Sequence, residues 1–157
     1  MRKIDLLLSE YGESHRNVTN KMIHWICVPL IFFSVIGLIA SIPSGLVQSI
    51  LGENPYANWA TIVLVLAIAY YSTLSITLAI GMMLFAALCL FVARLIAETS
   101  TPLWAASLFI FVVAWIGQFY GHKVEGKKPS FLKDLQFLMI GPAWLMHFIY
   151  KKLGIPY

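Results

Sequence analysis

The chain has 157 residues, of which 60% are hydrophobic and only 11% are charged, with a formal net charge of +4. This balance is far outside that of soluble domains, so lipid must cover much of the surface. The sequence also has no Gly-rich phosphate loop, no nucleophile elbow and no basic aromatic groove for nucleic acid. We therefore predict a single integral membrane domain over residues 1–157, an all-α polytopic helical bundle.

The first segment, residues 1–21, is polar and rich in charge. Apolar residues from Ile4 to Tyr11 recur at helical spacing, which predicts an interfacial amphipathic helix. No small-residue cleavage pattern follows a short hydrophobic region, so we expect no removable signal peptide. The first membrane span is predicted over residues 22–40, ending before a stretch rich in Ser, Pro and Gly.

The next spans come from a long uncharged interval. No charged residue occurs in the 40 positions between Glu53 and Arg94, and about 20 residues already cross a hydrocarbon core. We predict two spans, residues 59–73 and 76–97, joined by a tight polar turn. A fourth span is predicted over residues 103–120.

The last apolar segment, residues 131–150, is harder to assign because it contains Asp134 and the pair Gly141 and Pro142. A fifth span would draw Lys151 and Lys152 across the membrane. We therefore favour a broken or re-entrant helix, which is tolerated at membrane depth only where protein covers the backbone near Pro142.

The distribution of basic residues predicts the orientation. Four lysines or arginines precede the first span and six follow the fourth, whereas Arg94 is alone in between. By the positive-inside rule both termini face the cytoplasm. The membrane is the bacterial inner membrane or, in a eukaryote, that of the endoplasmic reticulum. Cys27 and Cys89 fall in apolar stretches and are interpreted as small buried hydrophobic residues.

Four histidines are the main candidates for chemistry. The predicted topology brings His15, His24 and His122 to one membrane face from different parts of the chain, whereas His147 cannot be assigned to that face. A single interfacial histidine is commonly a hydrogen-bonded anchor. Three on one face indicate a metal site instead, since neutral imidazole suits iron, zinc and copper. His147 is a candidate fourth ligand.

Two polar residues near these histidines are candidate catalytic-site residues. Asn20 precedes His24 by one helical turn and either hydrogen-bonds it or caps the helix. Glu125 follows His122 by three residues and so shares its helix face. It is a ligand, a partner that orients an imidazole, or a surface charge. We favour the orienting role.

Further residues near the same face are candidates for binding the substrate. The basic group after the fourth span either reflects the positive-inside rule or binds an anionic headgroup or carboxylate. Aromatic and amide residues there line a pocket or belong to the interfacial aromatic belt. The substrate-binding candidates are Lys123, Lys127, Lys128, Gln118 and Tyr11.

Two stretches carry a resemblance to a known family. YGESHRNVTNKMIHWICVPL (residues 11–30) and QFYGHKVEGKKPSFLKDLQFLMIGPAW (residues 118–144) resemble the paired signatures of the 2-hydroxy fatty acid dioxygenase family of the Mpo type. Its members are similar in size and in their four-span hydropathy. The resemblance implies an Fe(II)-dependent enzyme that uses dioxygen to shorten 2-hydroxy fatty acids by one carbon. In fungi this step belongs to phytosphingosine breakdown. Carried over residue by residue, the resemblance makes His15, His24 and His122 the candidate iron ligands.

Two other functions remain open from the sequence. Two histidines from different helices would suit a b-type haem protein, and histidines that act only as anchors would suit a non-catalytic lipid-binding or scaffold protein. Membrane desaturases and hydroxylases are excluded because they need many more than four histidines.

Overall fold

The computed structural model describes residues 2–13, 15–126 and 131–157, with side chains from residue 138 onward in the last stretch. All regular secondary structure in this part of the chain is α-helical. The helices are α1 (Lys3–Glu13), α2 (Val18–Ala40), α3 (Gly45–Leu51), α4 (Trp59–Leu74), α5 (Ile76–Ala97), α6 (Leu103–Glu125) and α7 (Phe131–Leu153).

The predicted all-α membrane bundle is confirmed. Helices α2, α5 and α6 are long and apolar enough to cross a membrane. Helix α4 is also apolar but has only 16 residues, a length of about 24 Å. The connection before α4 was predicted to be a loop, but it contains the short helix α3.

Two helix ends differ from the predicted spans, and both differences matter for the site. Helix α2 begins at Val18, four residues before the predicted span, because the Asn17 side chain caps it by accepting from the main-chain N–H groups of Thr19 and Asn20. Helix α6 continues past Tyr120 to Glu125 and ends at Gly126, whose φ of 73° suits glycine. The predicted span ended at Tyr120, and the helix face predicted to be shared by His122 and Glu125 lies in this extension.

Helices α2 and α6 pack closely and run antiparallel. A Cβ at Gly121 would lie 2.5 Å from Asn20 Oδ1, and one at Gly117 would lie 2.6 Å from Cys27 Sγ. The start of α2 therefore lies beside the end of α6. Residue Ser75 forms the tight turn between α4 and α5, as predicted, and its hydroxyl accepts from Leu78 N–H at 3.2 Å.

Helix α1 buries its apolar face against α7. This face was predicted to lie on a membrane surface, but it packs against protein instead. Ile4, Leu8 and Tyr11 join a core cluster that includes, from α7, Ile140, Ala143, Trp144, Leu145 and Tyr150.

Helix α7 lies across one end of the bundle. The Tyr71 hydroxyl donates to Met139 O, and the Tyr150 hydroxyl donates to Thr77 O at 2.8 Å. Tyr71 and Thr77 flank the turn at Ser75. Because successive long helices alternate in direction, this turn shares an end with the start of α2 and the end of α6. We call this end of the bundle the histidine end, since it carries His15, His24 and His122.

Candidate metal centre

Three histidines from three separate places in the chain converge at the histidine end. His15 follows α1, His24 lies in the second turn of α2 and His122 lies in the last turn of α6. One nitrogen of each ring lies within 4.8 Å of the corresponding nitrogens of the other two. The ring centroids are 4.1 Å apart for His15 and His24, 5.2 Å for His24 and His122, and 5.8 Å for His15 and His122.

Main-chain carbonyls fix the orientation of two of these rings. His15 Nδ1 lies 2.7 Å from Tyr11 O, and His24 Nδ1 lies 2.9 Å from Asn20 O. A carbonyl only accepts, so each Nδ1 donates and the lone pair of the neutral ring is on Nε2. Metal-binding histidines are commonly held in this way through the other ring nitrogen.

Aromatic rings enclose the cluster on the α1 and α7 sides. His15 and His24 are only 2% and 1% exposed. The Tyr11 ring stacks on His15 at 4.2 Å with an interplanar angle of 12°, and the Trp144 ring centroid is 5.4 Å from that of His15. The imidazoles are therefore shielded from water on this side.

Glu125 binds the connection that carries His15. Its Oε1 accepts from Arg16 N–H at 2.9 Å, and its Oε2 accepts from Asn17 N–H and from the Asn20 side-chain amide, each at 2.9 Å. Both carboxylate oxygens thus hold the chain immediately after His15 and the first turn of α2. These three contacts are with main-chain N–H groups and an amide, so a direct role of Glu125 in orienting an imidazole stays a prediction.

Asn20 does form a hydrogen bond with His24, through its main-chain carbonyl. Its main-chain carbonyl, rather than its side chain, accepts from His24, while its side-chain amide donates to Glu125. The residue that caps α2 is Asn17. Asn20 therefore connects the carboxylate on α6 with the backbone that orients His24.

The absence of a side chain at Gly121 allows Asn20 to take this position. We expect Gly121→Ala to displace the Asn20 amide from Glu125, to reduce the metal content of the purified protein about tenfold and to destabilise it by about 1–3 kcal/mol. Gly45→Ala is the control, because a Cβ there meets nothing within 4 Å. Metal analysis and thermal unfolding in detergent measure both effects. A Gly121→Ala protein with wild-type metal content would contradict the expectation.

Gln118 lies one helical turn before His122 on the face of α6 that packs against α2. Its side chain is buried, and within the described part of the chain its Oε1 has no hydrogen-bond partner. A buried amide oxygen without a partner is costly, so a polar group is expected to bind beside it.

The remaining predicted site residues lie elsewhere. His147 is outside the group of three, and its Nδ1 contacts the Tyr157 hydroxyl instead. Burial lowers the pKa of His147, and the Lys151 ammonium adds to this effect. Lys123 is exposed on α6. Lys127 and Lys128 lie outside the described residues.

Comparison with known proteins identifies the family. A family model described as "2-hydroxy-palmitic acid dioxygenase Mpo1-like" matches residues 1–153. The chain belongs to the Mpo1-like family. The match covers α1 to α7 and includes all four histidines. No curated protein and no solved structure matches the chain.

The donor set of this Mpo1-like protein fits a metal. Three imidazoles within 4.8 Å of one another, two of them oriented by carbonyls, are the kind of ligands that iron, zinc and copper accept. The family is named for a dioxygenase of 2-hydroxy-palmitic acid. The three residues that would hold the metal are His15, His24 and His122.

Trp144, which shields His15, was not among the predicted site residues. The residue belongs to the second family signature, but in an apolar segment with many aromatic residues nothing distinguishes it. Only the packing of α7 on α1 brings its ring beside the cluster.

Proposed function

We propose that the protein is an Fe(II)-dependent membrane dioxygenase that shortens 2-hydroxy fatty acids by one carbon. The observation that carries this proposal is the convergence of His15, His24 and His122, with two rings fixed by main-chain carbonyls. The family to which the chain belongs is named for a dioxygenase of 2-hydroxy-palmitic acid.

Three protein ligands suit this chemistry because they leave other positions open. A 2-hydroxy acid could chelate a metal held by these three histidines through its hydroxyl and carboxylate, and a metal with only three protein ligands would leave room for dioxygen. Bound Fe(II) supplies the redox chemistry that couples reduction of dioxygen to oxidation of the substrate. One dioxygen balances the conversion of R–CH(OH)–COOH to R–COOH, carbon dioxide and water, so no further reductant is required.

The chain's own residues hold and orient the reactants in this proposal. Glu125 and Asn20 act as positioning residues. The Glu125 carboxylate holds the connection after His15, and the Asn20 amide donates to that carboxylate. Gln118 would bind a polar group of the substrate, which is supported by its buried amide oxygen that lacks a partner among the described residues. Tyr11 and Trp144 limit the access of water to the histidines.

The lysines after α6 and the membrane orientation belong to the same proposal. Lys123, Lys127 and Lys128 would attract the substrate carboxylate, while the acyl chain stays in the membrane lipid. With the basic residues gathered at the histidine end, both termini and the site would face the cytoplasm. The proposed orientation is the same in a bacterial inner membrane and in the endoplasmic reticulum.

The ring contacts disfavour a haem. A haem with two histidine ligands holds them on opposite faces of a porphyrin, but the His15 and His24 rings touch edge to face at 4.1 Å. A macrocycle does not fit between them. The non-catalytic lipid-binding alternative predicts that the purified protein carries no transition metal.

A labelled substrate tests the proposed reaction. Iron-loaded protein in detergent, given 2-hydroxypalmitate labelled with ¹³C at C1, is expected to consume one dioxygen per turnover, to form a fatty acid one carbon shorter and to release the label as carbon dioxide. Palmitate, which lacks the hydroxyl needed for chelation, is the control and is expected to remain unchanged. Label retained in a product of unchanged length would contradict the proposal.

A further inference from the structure

A groove between α2 and the last turns of α7 lies beside the candidate metal centre. It has a volume of about 730 Å³ and is lined by Trp25, Phe148, Ile149, Lys151, Lys152 and Leu153. Its volume falls within the range of about 300–1,000 Å³ that is usual for small-ligand sites. The groove shares no lining residue with the histidine cluster.

The lining combines an apolar surface with two positive charges. Trp25 is 41% exposed and Leu153 65% exposed, so large apolar surfaces are open to a ligand. Lys151 and Lys152 lie in the last turn of α7, and neither forms an ion pair within the part of the chain that the structure describes. A long apolar chain with a carboxylate at one end matches this lining in polarity and in charge.

Only two aromatic side chains separate the groove from the histidines. The Phe148 ring lies 6.3 Å from Trp25 within the groove and 4.7 Å from Trp144, while Trp144 lies 5.4 Å from His15. A ligand that contacts Phe148 in the groove is therefore separated from His15 by the Phe148 and Trp144 side chains.

The lysines lie further along α7 than Trp144, the α7 residue that contacts His15. Lys151 follows Trp144 by seven residues, which is about 10 Å along a helix axis. A carboxylate bound to Lys151 and Lys152 would therefore lie about two helical turns from the side chain that touches His15. The groove is a different binding position from the one at which the hydroxy acid would chelate iron.

We propose that this groove is a loading site, in which a free long-chain 2-hydroxy carboxylate binds before it reaches the histidines. Its carboxylate pairs with Lys151 and Lys152, and its acyl chain lies along Trp25 and Phe148. This inference rests on the proposed function. We commit to a single-chain acid rather than a phospholipid, because the groove has the volume of one small ligand and a diacyl lipid brings two chains and a bulkier head.

Steady-state kinetics test the loading site. The double variant Lys151→Gln/Lys152→Gln is expected to raise KM for 2-hydroxypalmitate about three- to tenfold with kcat unchanged, because exposed charge pairs contribute modestly and the reacting position is untouched. Lys3→Gln/Lys21→Gln is the matched control, since it removes two charges at the same end that do not line the groove. An unchanged KM, or an equal change in the control, overturns the proposal.

A second measurement does not depend on turnover. A 2-hydroxy fatty acid with a photoreactive diazirine on its chain is expected to label the peptides containing Trp25 and Phe148 in the His122→Ala protein. Labelling should decrease with excess 2-hydroxypalmitate and in the Lys151→Gln/Lys152→Gln background. Labelling elsewhere, or equal competition by phosphatidylglycerol vesicles, overturns the loading site. Groove labelling in a wild-type protein that performs no chain shortening overturns the proposed function alone.

Discussion

Replacing His122 or His24 by alanine is expected to remove the bound metal and to reduce oxygen consumption with 2-hydroxypalmitate by at least about 100-fold. Each variant removes one of the three nitrogen ligands proposed for the metal, and even the loss of a partner that orients a ligand commonly costs 10–100-fold. Two imidazoles within 4.8 Å of each other are a weaker site than three. Metal analysis and oxygen uptake on the same preparation measure both effects.

The control for this experiment is His147→Gln, which replaces the histidine outside the cluster. It is expected to keep the metal content of the wild type. An inactive His122→Ala protein with normal iron content would argue against a ligand role for that residue. If His147→Gln lost as much metal as His24→Ala, the three histidines would not be the complete set of metal ligands.

Removal of the Glu125 carboxylate should weaken the site without removing a ligand. Three hydrogen bonds reach this carboxylate, two of them from main-chain N–H groups next to His15. We expect Glu125→Ala to reduce iron affinity about 10–100-fold and to destabilise the protein by about 1.5–3 kcal/mol. Iron titration under anaerobic conditions and thermal unfolding measure the two effects.

Glu125→Gln separates the effect of the negative charge of the carboxylate from that of the hydrogen bonds it accepts. Glutamine retains one acceptor oxygen, so this variant is expected to lie between the wild type and Glu125→Ala in iron affinity. Glu98→Gln is the control, because Glu98 pairs with Arg94 in an exposed salt bridge outside the histidine end. If Glu125→Ala bound iron with wild-type affinity, the connection after His15 would not need the hydrogen bonds to Glu125.

The sequence predicted the helical class and the residues of the cluster because both depend on coarse patterns. The long uncharged interval and the positions of the basic residues indicate the spans and the face they share. Once that face is assigned, His15, His24 and His122 are its histidines. The spacing of nine residues between His15 and His24 would not have grouped them.

The sequence did not predict how this face is held together. The contact between Glu125 and the connection after His15 joins residues more than 100 positions apart, and no local pattern indicates it. The predicted fourth span ended at Tyr120, where the composition becomes polar. Helix α6 instead continues to Glu125, because its last turn packs against α2. Glu125 in this turn also accepts from the main-chain N–H groups of Arg16 and Asn17, just before α2.

The packing of α1 shows a related limit. An amphipathic pattern states that one face is apolar, but it does not state what covers that face. The residues from Ile4 to Tyr11 suited a membrane surface as well as a protein surface, and only the position of α7 decides between them. The same packing brings Tyr11 and Trp144 to His15.

Metal analysis of the wild-type protein, purified without oxygen and loaded with Fe(II), tests the three-histidine site most directly. We expect one tightly bound iron per chain, and no tightly bound iron in a His24→Ala/His122→Ala protein with the same helical content. A wild-type protein that is fully helical and stable but binds no iron or other transition metal would contradict the account, and would leave the histidines as structural anchors.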